Sequence, residues 1–221
     1  QARSMLSRYL SPNVVREVLR NPLDAQLKGR RAHLTVLFSD IRGFTTLAEK
    51  LEPEEVVELL NKYLTVMSEI IFRHGGTVDK FQGDGILVFF GAPQPYEDQG
   101  ERAVRTALEM RDRLSELQQE WVDRSEDSLR IGIAIHSGEV MVGNIGSQLR
   151  MEYTVIGDTV NLASRLQDLT KELNASILIS GSTQPMVQHM CQLRTFGSAQ
   201  IRGRQQPVDI YEVLELKTED S

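Results

Sequence analysis

Two aspartates, Asp40 and Asp84, stand next to short apolar runs in the 221-residue chain. Asp40 closely follows the run that begins at Leu34, and Asp84 lies in a Gly-Asp-Gly turn just before the run 86–90. Short apolar runs bounded by turn residues are typical of buried strands, so both carboxylates are expected at strand tips. Mg²⁺ is usually held by one or two carboxylates together with substrate phosphates. The pair predicts a metal site that handles phosphates, whereas each aspartate alone could simply cap a turn.

Other polar residues around these tips have weaker patterns. Gly43-Phe44-Thr45 precedes a helical segment, and backbone N–H groups at the start of a helix attract phosphate. Asp79 lies within a predicted strand, which favours an ion pair with a neighbouring cation over metal ligation. The four histidines lack metal-ligand spacing and are interpreted as structural.

A second group of candidates lies on a predicted helix later in the chain. Asn161 and Arg165 are four residues apart, which places both on one helical face. An amide and a guanidinium together could hold a ribose and a phosphate, although a solvated helix face has the same pattern. Arg150 and the Arg202-Gly203-Arg204 segment are further candidate phosphate contacts.

Strands and helices alternate along the chain in a way that indicates an α+β fold. The apolar spacing predicts helices over 53–74, 100–123, 157–173 and 182–190. It predicts hairpins over 77–90 and over 129–145, the second turning at Ser137-Gly138, with a loop over 146–153. Further strands are predicted over 32–39, 176–180, 193–201 and 208–214. The expected architecture is a mostly antiparallel sheet with packed helices.

The first 31 residues are interpreted as a helical lead-in and linker. Two short helices are predicted, at Met5–Leu10 and Pro12–Leu19, with Ser11 as the N-cap of the second. The polar stretch Asn21–Arg31 then reads as a linker. Because the chain begins with Gln1, it is interpreted as a fragment excised from a longer protein.

Composition limits the function classes. The net charge of −6 and pI of about 5.3 argue against nonspecific nucleic-acid binding, which needs a basic surface. A single cysteine, Cys191, allows no intrachain disulfide and is expected to be a small buried hydrophobic residue. No apolar run reaches the roughly 18 residues of a membrane span.

Three ordered motifs, 38–45, 79–84 and 153–165, resemble the catalytic domain of class III nucleotidyl cyclases, most closely the bacterial and cyanobacterial adenylate cyclases. The resemblance runs from about Ala32 to Leu214. It implies a ferredoxin-like, palm-like fold, with a transducer-like lead-in over 1–31, the catalytic domain over 32–216 and a tail over 217–221. An upstream sensor domain in the parent protein is also implied.

The resemblance further implies a head-to-tail homodimer with two interfacial active sites, each binding ATP and two Mg²⁺ or Mn²⁺ ions. One chain would supply Asp40, Asp84 and the Ile41 carbonyl to the metals, with Phe44 and Thr45 beside the phosphates. The residues expected from the partner chain are Lys80 and Thr154 at the purine, Asn161 at the ribose and Arg165 at the α-phosphate. The resemblance also implies Arg204 at the terminal phosphate and Arg150 as a second phosphate ligand.

The implied reaction is an in-line attack of the ribose 3′-hydroxyl on the α-phosphorus, which releases pyrophosphate. Adenine presents an acceptor at N1 and a donor at N6, and the donor-only Lys80 suits N1 while Thr154 can accept from N6. Guanylate cyclases carry glutamate in place of Lys80. Thr154 alone decides little, because a hydroxyl can also donate to the O6 of guanine.

The alternatives are a guanylate cyclase and an inactive nucleotide-binding regulatory module. A diguanylate cyclase lacks support because its Gly-Gly-Asp/Glu-Glu-Phe signature is absent from this sequence. An RNA-binding module lacks support because the predicted adjacent strands carry no stacking pair of aromatic residues. The catalytic domain is expected in the cytoplasm. Whether the parent protein is membrane-anchored is left open by the sequence.

Overall fold

The computed structural model describes residues 6, 9–20, 29–121, 129–147 and 149–218. Its helices are α1 (Pro12–Arg20), α2 (Phe44–Ala48), α3 (Pro53–Arg73), α4 (Gln99–Trp121), α5 (Asp158–Glu172) and α6 (Gln184–Val187). Its strands are β1 (Arg30–Arg42), β2 (Thr77–Gln82), β3 (Gly85–Phe90), β4 (Arg130–Ser147), β5 (Arg150–Ile156), β6 (Ile177–Ser180), β7 (Cys191–Ala199) and β8 (Val208–Leu216).

The strands form one sheet in the order β2-β3-β1-β4-β6-β8-β7, with β5 paired to the far end of β4. Only the β4–β6 pair is parallel among the described strands. The predicted α+β fold with a mostly antiparallel sheet is therefore confirmed.

Helices cover both faces of the sheet. Helices α3 and α4 pack on one face through an apolar core that includes Tyr63, Met67 and Leu114. Helix α5 packs on the other face, where Leu162 and Leu166 join a second cluster. The sheet is thus buried on two sides, which fixes the strand tips relative to the helices.

Helix α3 shows how local sequence sets these elements. Pro53 occupies its first turn, and Glu52 and Glu55 form a reciprocal capping box at its N-terminus. The helix ends at Arg73, one residue before the predicted boundary.

Helix α1 packs against the edge of the domain through Val14 and Val15, which are buried. The Ser11 hydroxyl donates to the Val78 carbonyl at 3.0 Å and accepts from the Val78 N–H at 2.9 Å. Ser11 occupies the predicted N-cap position, because α1 begins at Pro12 and the Val15 N–H donates to the Ser11 carbonyl at 3.0 Å. Its hydroxyl, however, bonds the edge of β2 at Val78. Of the predicted helix Met5–Leu10, only residues 6, 9 and 10 lie within the described part of the chain.

The predicted hairpin at Ser137-Gly138 is wrong, because β4 runs unbroken through both residues. Gly138 pairs with Leu34 of β1, and a Cβ atom there would lie 2.6 Å from the Thr159 hydroxyl oxygen. The glycine allows α5 to approach the sheet and does not form a turn. The predicted loop over 146–153 is also wrong, since most of it belongs to the β4–β5 hairpin.

Two smaller differences concern the ends of elements. The polar residues Arg30 and Arg31, predicted as linker, belong to β1 and pair with Val142 and Met141. Helix α6 is shorter than its predicted span of 182–190. Cys191 is buried as predicted. None of the helices in the described part of the chain is both long and apolar enough to span a membrane.

Replacing Ser11 with alanine should destabilise the domain by about 1–2 kcal/mol, because it leaves backbone groups of Val78 without partners. Urea unfolding followed by circular dichroism measures this difference. Ser115→Ala, which removes an exposed hydroxyl from α4, serves as the control and should change stability by less than about 0.5 kcal/mol. Equal stabilities of the two variants would contradict the role assigned to Ser11.

Candidate active site

Asp40 and Asp84 converge on one backbone amide. Asp40 lies near the end of β1, and Asp84 lies in the turn between β2 and β3, which pairs with β1. The Ile41 N–H donates to Asp40 Oδ1 at 3.0 Å and to Asp84 Oδ2 at 2.8 Å. The structure thus brings together the two carboxylates that the sequence placed at separate strand tips.

The electrostatics of this pair suit a cation. Burial, followed by a hydrogen bond to Asp84 and the charge of Asp84, raises the pKa of Asp40 to about 7. Two carboxylates at close range favour either a shared proton or a positive ion between them. Among the described residues, no group of three or more His, Cys, Asp or Glu side chains is arranged to hold a metal. Two carboxylates and a carbonyl fit Mg²⁺, which completes its shell with water and phosphate oxygens.

Tyr63 lies near enough to Asp84 and Asp40 to feel their charges and is fully buried, as is Ser39. Burial and the charge of Asp84 raise the pKa of the Tyr63 phenol, so it stays protonated. Neither the Tyr63 nor the Ser39 hydroxyl has a well-formed hydrogen bond among the described residues. The sequence presented Tyr63 only as one apolar position of α3, and its polar atom near the carboxylates was not predicted.

The segment after Asp40 begins helix α2. Gly43 precedes it with φ of 83°, a left-handed conformation that favours glycine. The Phe44 ring packs into the main core, while Thr45 is exposed. Of the two predicted phosphate neighbours, Phe44 can therefore offer only its backbone, and Thr45 can offer its hydroxyl as well.

Lys80 and Thr154, the predicted purine contacts, are joined by Asp79. The Thr154 hydroxyl donates to Asp79 Oδ2 at 2.7 Å, and Lys80 Nζ lies 3.5 Å from Asp79 Oδ1. Lys80 Nζ also lies 3.7 Å from Glu152, a neighbour that the sequence analysis did not single out. The predicted ion pair of Asp79 with a neighbouring cation is present.

The predicted ribose and phosphate residues lie on α5 and on the loop before β8. Asn161 is exposed, and Arg165 is half-buried with its guanidinium against Gly203. Arg204 donates to Asp158 at the start of α5. These contacts bring Arg165 and the loop that carries Arg204 to one edge of the domain.

The two remaining arginines, Arg202 and Arg150, are exposed. Arg202 is exposed, whereas Arg204 is turned towards α5. Arg150 begins β5 with its side chain 84% exposed and pairs with Glu152 at 3.3 Å. The candidate residues therefore form three groups: the two carboxylates, Lys80 with Thr154, and Arg165 with the loop that carries Arg204. Arg150 lies beside the second group, because its partner Glu152 is also a neighbour of Lys80. The sequence analysis did not predict Glu152 or Asp158 as partners of these residues.

The sequence profile described as "Adenylate and Guanylate cyclase catalytic domain" matches residues 28–214. The chain therefore belongs to this family, as the motifs predicted.

Individual relatives agree with this assignment. "Adenylate cyclase 1" of Rhizobium meliloti (strain 1021) is 36% identical over 205 residues, which cover 91% of this chain and 31% of that protein. The crystal structure of the adenylyl cyclase CyaB from P. aeruginosa matches with a TM-score of 0.81 at 40% identity, covering 88% of this chain and all of that chain (100%). The crystal structure of the guanylyl cyclase Cya2 matches with a TM-score of 0.77 at 42% identity, covering 86% and 96%.

These matches define a class III nucleotidyl cyclase domain without deciding its purine. An adenylyl and a guanylyl cyclase match it with similar identity. The chain spans about a third of the length of the curated relatives that it matches.

Asp40→Asn should abolish cyclic nucleotide production while the domain stays folded, because a neutral amide is a poor ligand for a hard cation. Loss of the repulsion between the carboxylates should keep the melting temperature from falling in the absence of divalent ions. Chromatography of the products and thermal melting measure the two effects. Asp112→Asn, on the exposed face of α4, is the matched control. Near-normal turnover by Asp40→Asn would refute the metal assignment.

Proposed function

We propose that this domain is an adenylate cyclase that converts ATP to 3′,5′-cyclic AMP and pyrophosphate. The observation that carries the proposal is the Lys80–Thr154 pair, held together at one place by Asp79. An ammonium group can only donate, which suits the N1 acceptor of adenine and opposes the N1–H of guanine. Thr154, which is 6% exposed, would accept from the adenine 6-amino group.

The carboxylate group suits the triphosphate end of the substrate. Asp40, Asp84 and the Ile41 carbonyl would hold two Mg²⁺ or Mn²⁺ ions per site. Their chemistry when bound would be to neutralise phosphate charge and to favour ionisation of the 3′-hydroxyl and departure of pyrophosphate. The exposed Thr45 and the backbone at the start of α2 would orient the phosphates beside them.

The remaining residues position the substrate and stabilise charge. Asn161 would hold the ribose so that its 3′-oxygen lies in line with the α-phosphorus. Arg165 would stabilise the charge that develops on the α-phosphate oxygens, and Arg204 and Arg150 would bind the outer phosphates. No covalent intermediate with the protein is needed, because the nucleophile belongs to the substrate itself.

A head-to-tail homodimer would bring the groups together across an interface. Large apolar side chains are exposed beside the base site: Phe81 is 47%, Met151 56%, Ile156 50% and Leu149 98% exposed. These exposed apolar side chains support the proposal, since a second copy of the chain would remove them from water. We also propose that the catalytic domain lies in the cytoplasm, where it produces a cyclic AMP signal. An upstream sensor domain in the parent protein would control it.

A guanylate cyclase is the second candidate, because Cya2 is 42% identical to this chain. Lys80 opposes it, since a donor would face the N1–H donor of guanine. An inactive regulatory module is the third candidate. The presence of Asp40, Asp84, Asn161 and Arg165 in one chain opposes that alternative.

Lys80→Glu should lower the ratio of ATP to GTP turnover by roughly tenfold or more, because an acceptor then faces adenine N1 and an unpaired buried polar group is costly. The measurement is kcat/KM for each nucleotide. Lys171→Glu, the same charge change at an exposed position of α5, is the control and should leave the ratio unchanged. An unaltered ratio in Lys80→Glu would count against the proposed base contact.

Mixing an Asp40→Asn chain with an Arg165→Ala chain should restore turnover that neither variant has alone. Each mixed dimer would contain one site with all residues intact, so roughly a quarter of wild-type activity is expected when half of the dimers are mixed and each has one of two sites. Activity is assayed after refolding or prolonged incubation of the mixture. Absence of any recovery, with mixed dimers demonstrated by differently tagged chains, would argue for sites contained within one chain.

A further inference from the structure

Asp79 is a nearly fully buried carboxylate that the proposed reaction does not use. Its side chain is 1% exposed. One oxygen, Oδ2, accepts from the Thr154 hydroxyl at 2.7 Å and from the Val155 N–H at 3.0 Å. The other oxygen, Oδ1, lies 3.5 Å from Lys80 Nζ. Asp79 therefore contacts both residues of the proposed base site.

An irregularity in β2 makes this double contact possible. Neighbouring residues of a regular strand face opposite sides of the sheet. The β2–β3 register shifts between Val78 and Lys80, so that Asp79 is the extra residue of a bulge. A bulge re-aims side chains, and here Asp79 and Lys80 both reach β5, the first at Thr154 and the second at Glu152.

The contact fixes the direction of the Thr154 proton. A threonine hydroxyl has one proton to donate, and an ionised carboxylate can only accept. Burial raises the pKa of Asp79, but the Val155 N–H on the same oxygen keeps Oδ2 an acceptor in either protonation state. Because Thr154 donates inward to Asp79, its hydroxyl has only lone pairs left for a ligand.

This removes the ambiguity of a free hydroxyl. An acceptor-only Thr154 can receive a hydrogen bond from the 6-amino group of adenine, whereas its lone pairs would face the O6 lone pairs of guanine. We infer that Asp79 is a specificity-positioning residue, which selects a 6-amino purine by orienting the Thr154 hydroxyl. The inference rests on the proposed function, since it assumes that Lys80 and Thr154 contact the base.

The test compares five chains: wild type, Asp79→Ala, Asp79→Asn, Thr154→Val and the double variant Asp79→Ala/Thr154→Val. For each, kcat/KM is measured with ATP and with GTP, and thermal melting confirms the fold. Binding of 3′-deoxy-ATP and 3′-deoxy-GTP, which lack the attacking hydroxyl, gives the same ratio without turnover. Asp79→Asn is the matched control, because its amide oxygen can still accept from Thr154 and Val155.

Asp79→Ala frees the Thr154 proton, which can then donate to the O6 of guanine. The ratio of kcat/KM for ATP to kcat/KM for GTP should therefore fall roughly tenfold, the effect of removing one unpaired polar contact. Asp79→Asn should keep the ratio within about threefold of wild type, since the acceptor oxygen is retained. In the Thr154→Val background, Asp79→Ala should produce no further change. A merely structural role for Asp79 would lower turnover of both nucleotides equally, and that result would overturn the inference.

Two other results would also overturn it. If Asp79→Asn lowered the ratio as far as Asp79→Ala, the charge of Asp79 acting on Lys80 would be responsible. If Asp79→Ala still lowered the ratio without the Thr154 hydroxyl, the effect would bypass Thr154.

Thr154→Val keeps the inference testable even if Asp79→Ala does not fold. If the Thr154 hydroxyl only accepts, Thr154→Val should lower ATP use without lowering GTP use. If the hydroxyl donates to guanine O6, GTP use should fall as well, and that result would contradict the inference. The proposed function fails separately, if the wild-type chain itself prefers GTP or binds neither analogue.

Discussion

The contact on which the site depends is the convergence of the Asp40 and Asp84 carboxylates on the Ile41 N–H. Like charges at such range repel, and burial adds to the cost of ionising both. The sheet holds them there because β1 is paired on both sides, with β3 and with β4, and α3 and α4 cover one face. The folded protein thus maintains an arrangement that is unfavourable by itself and becomes favourable when a cation lies between the carboxylates.

Regular elements with strong periodicity could be predicted from the sequence, and interactions across the sheet could not. The apolar spacing predicted α3 to within one residue. Ser137-Gly138 has the composition of a turn, but pairing of β1 with β4 continues through it. Gly138 is needed for the approach of Thr159 on α5, a contact between residues distant in sequence that local pattern does not contain.

The candidate site shows the same division. The positions of Asp40 and Asp84 at strand tips could be predicted from the residue types and their spacing. Their shared hydrogen bond to the Ile41 N–H could not, because it depends on how β1 pairs with β3 and β4. The role of Asp79 depends on a bulge, and nothing in the residues around it distinguishes a bulged strand from a regular one. The direction of the Thr154 hydroxyl, to which we assign recognition of the base, is consequently visible only in the folded chain.

We propose that the sheet places the carboxylates for the phosphates and that the β2 bulge, together with β5, shapes the base site. A competition experiment tests this proposal: the purified domain receives equimolar ATP and GTP together, with Mg²⁺ or Mn²⁺, and the cyclic products are separated by chromatography. We expect cyclic AMP to be the main product, in excess of cyclic GMP by roughly tenfold or more. Cyclic GMP in equal or greater amount, or no cyclic product with either metal, would contradict it.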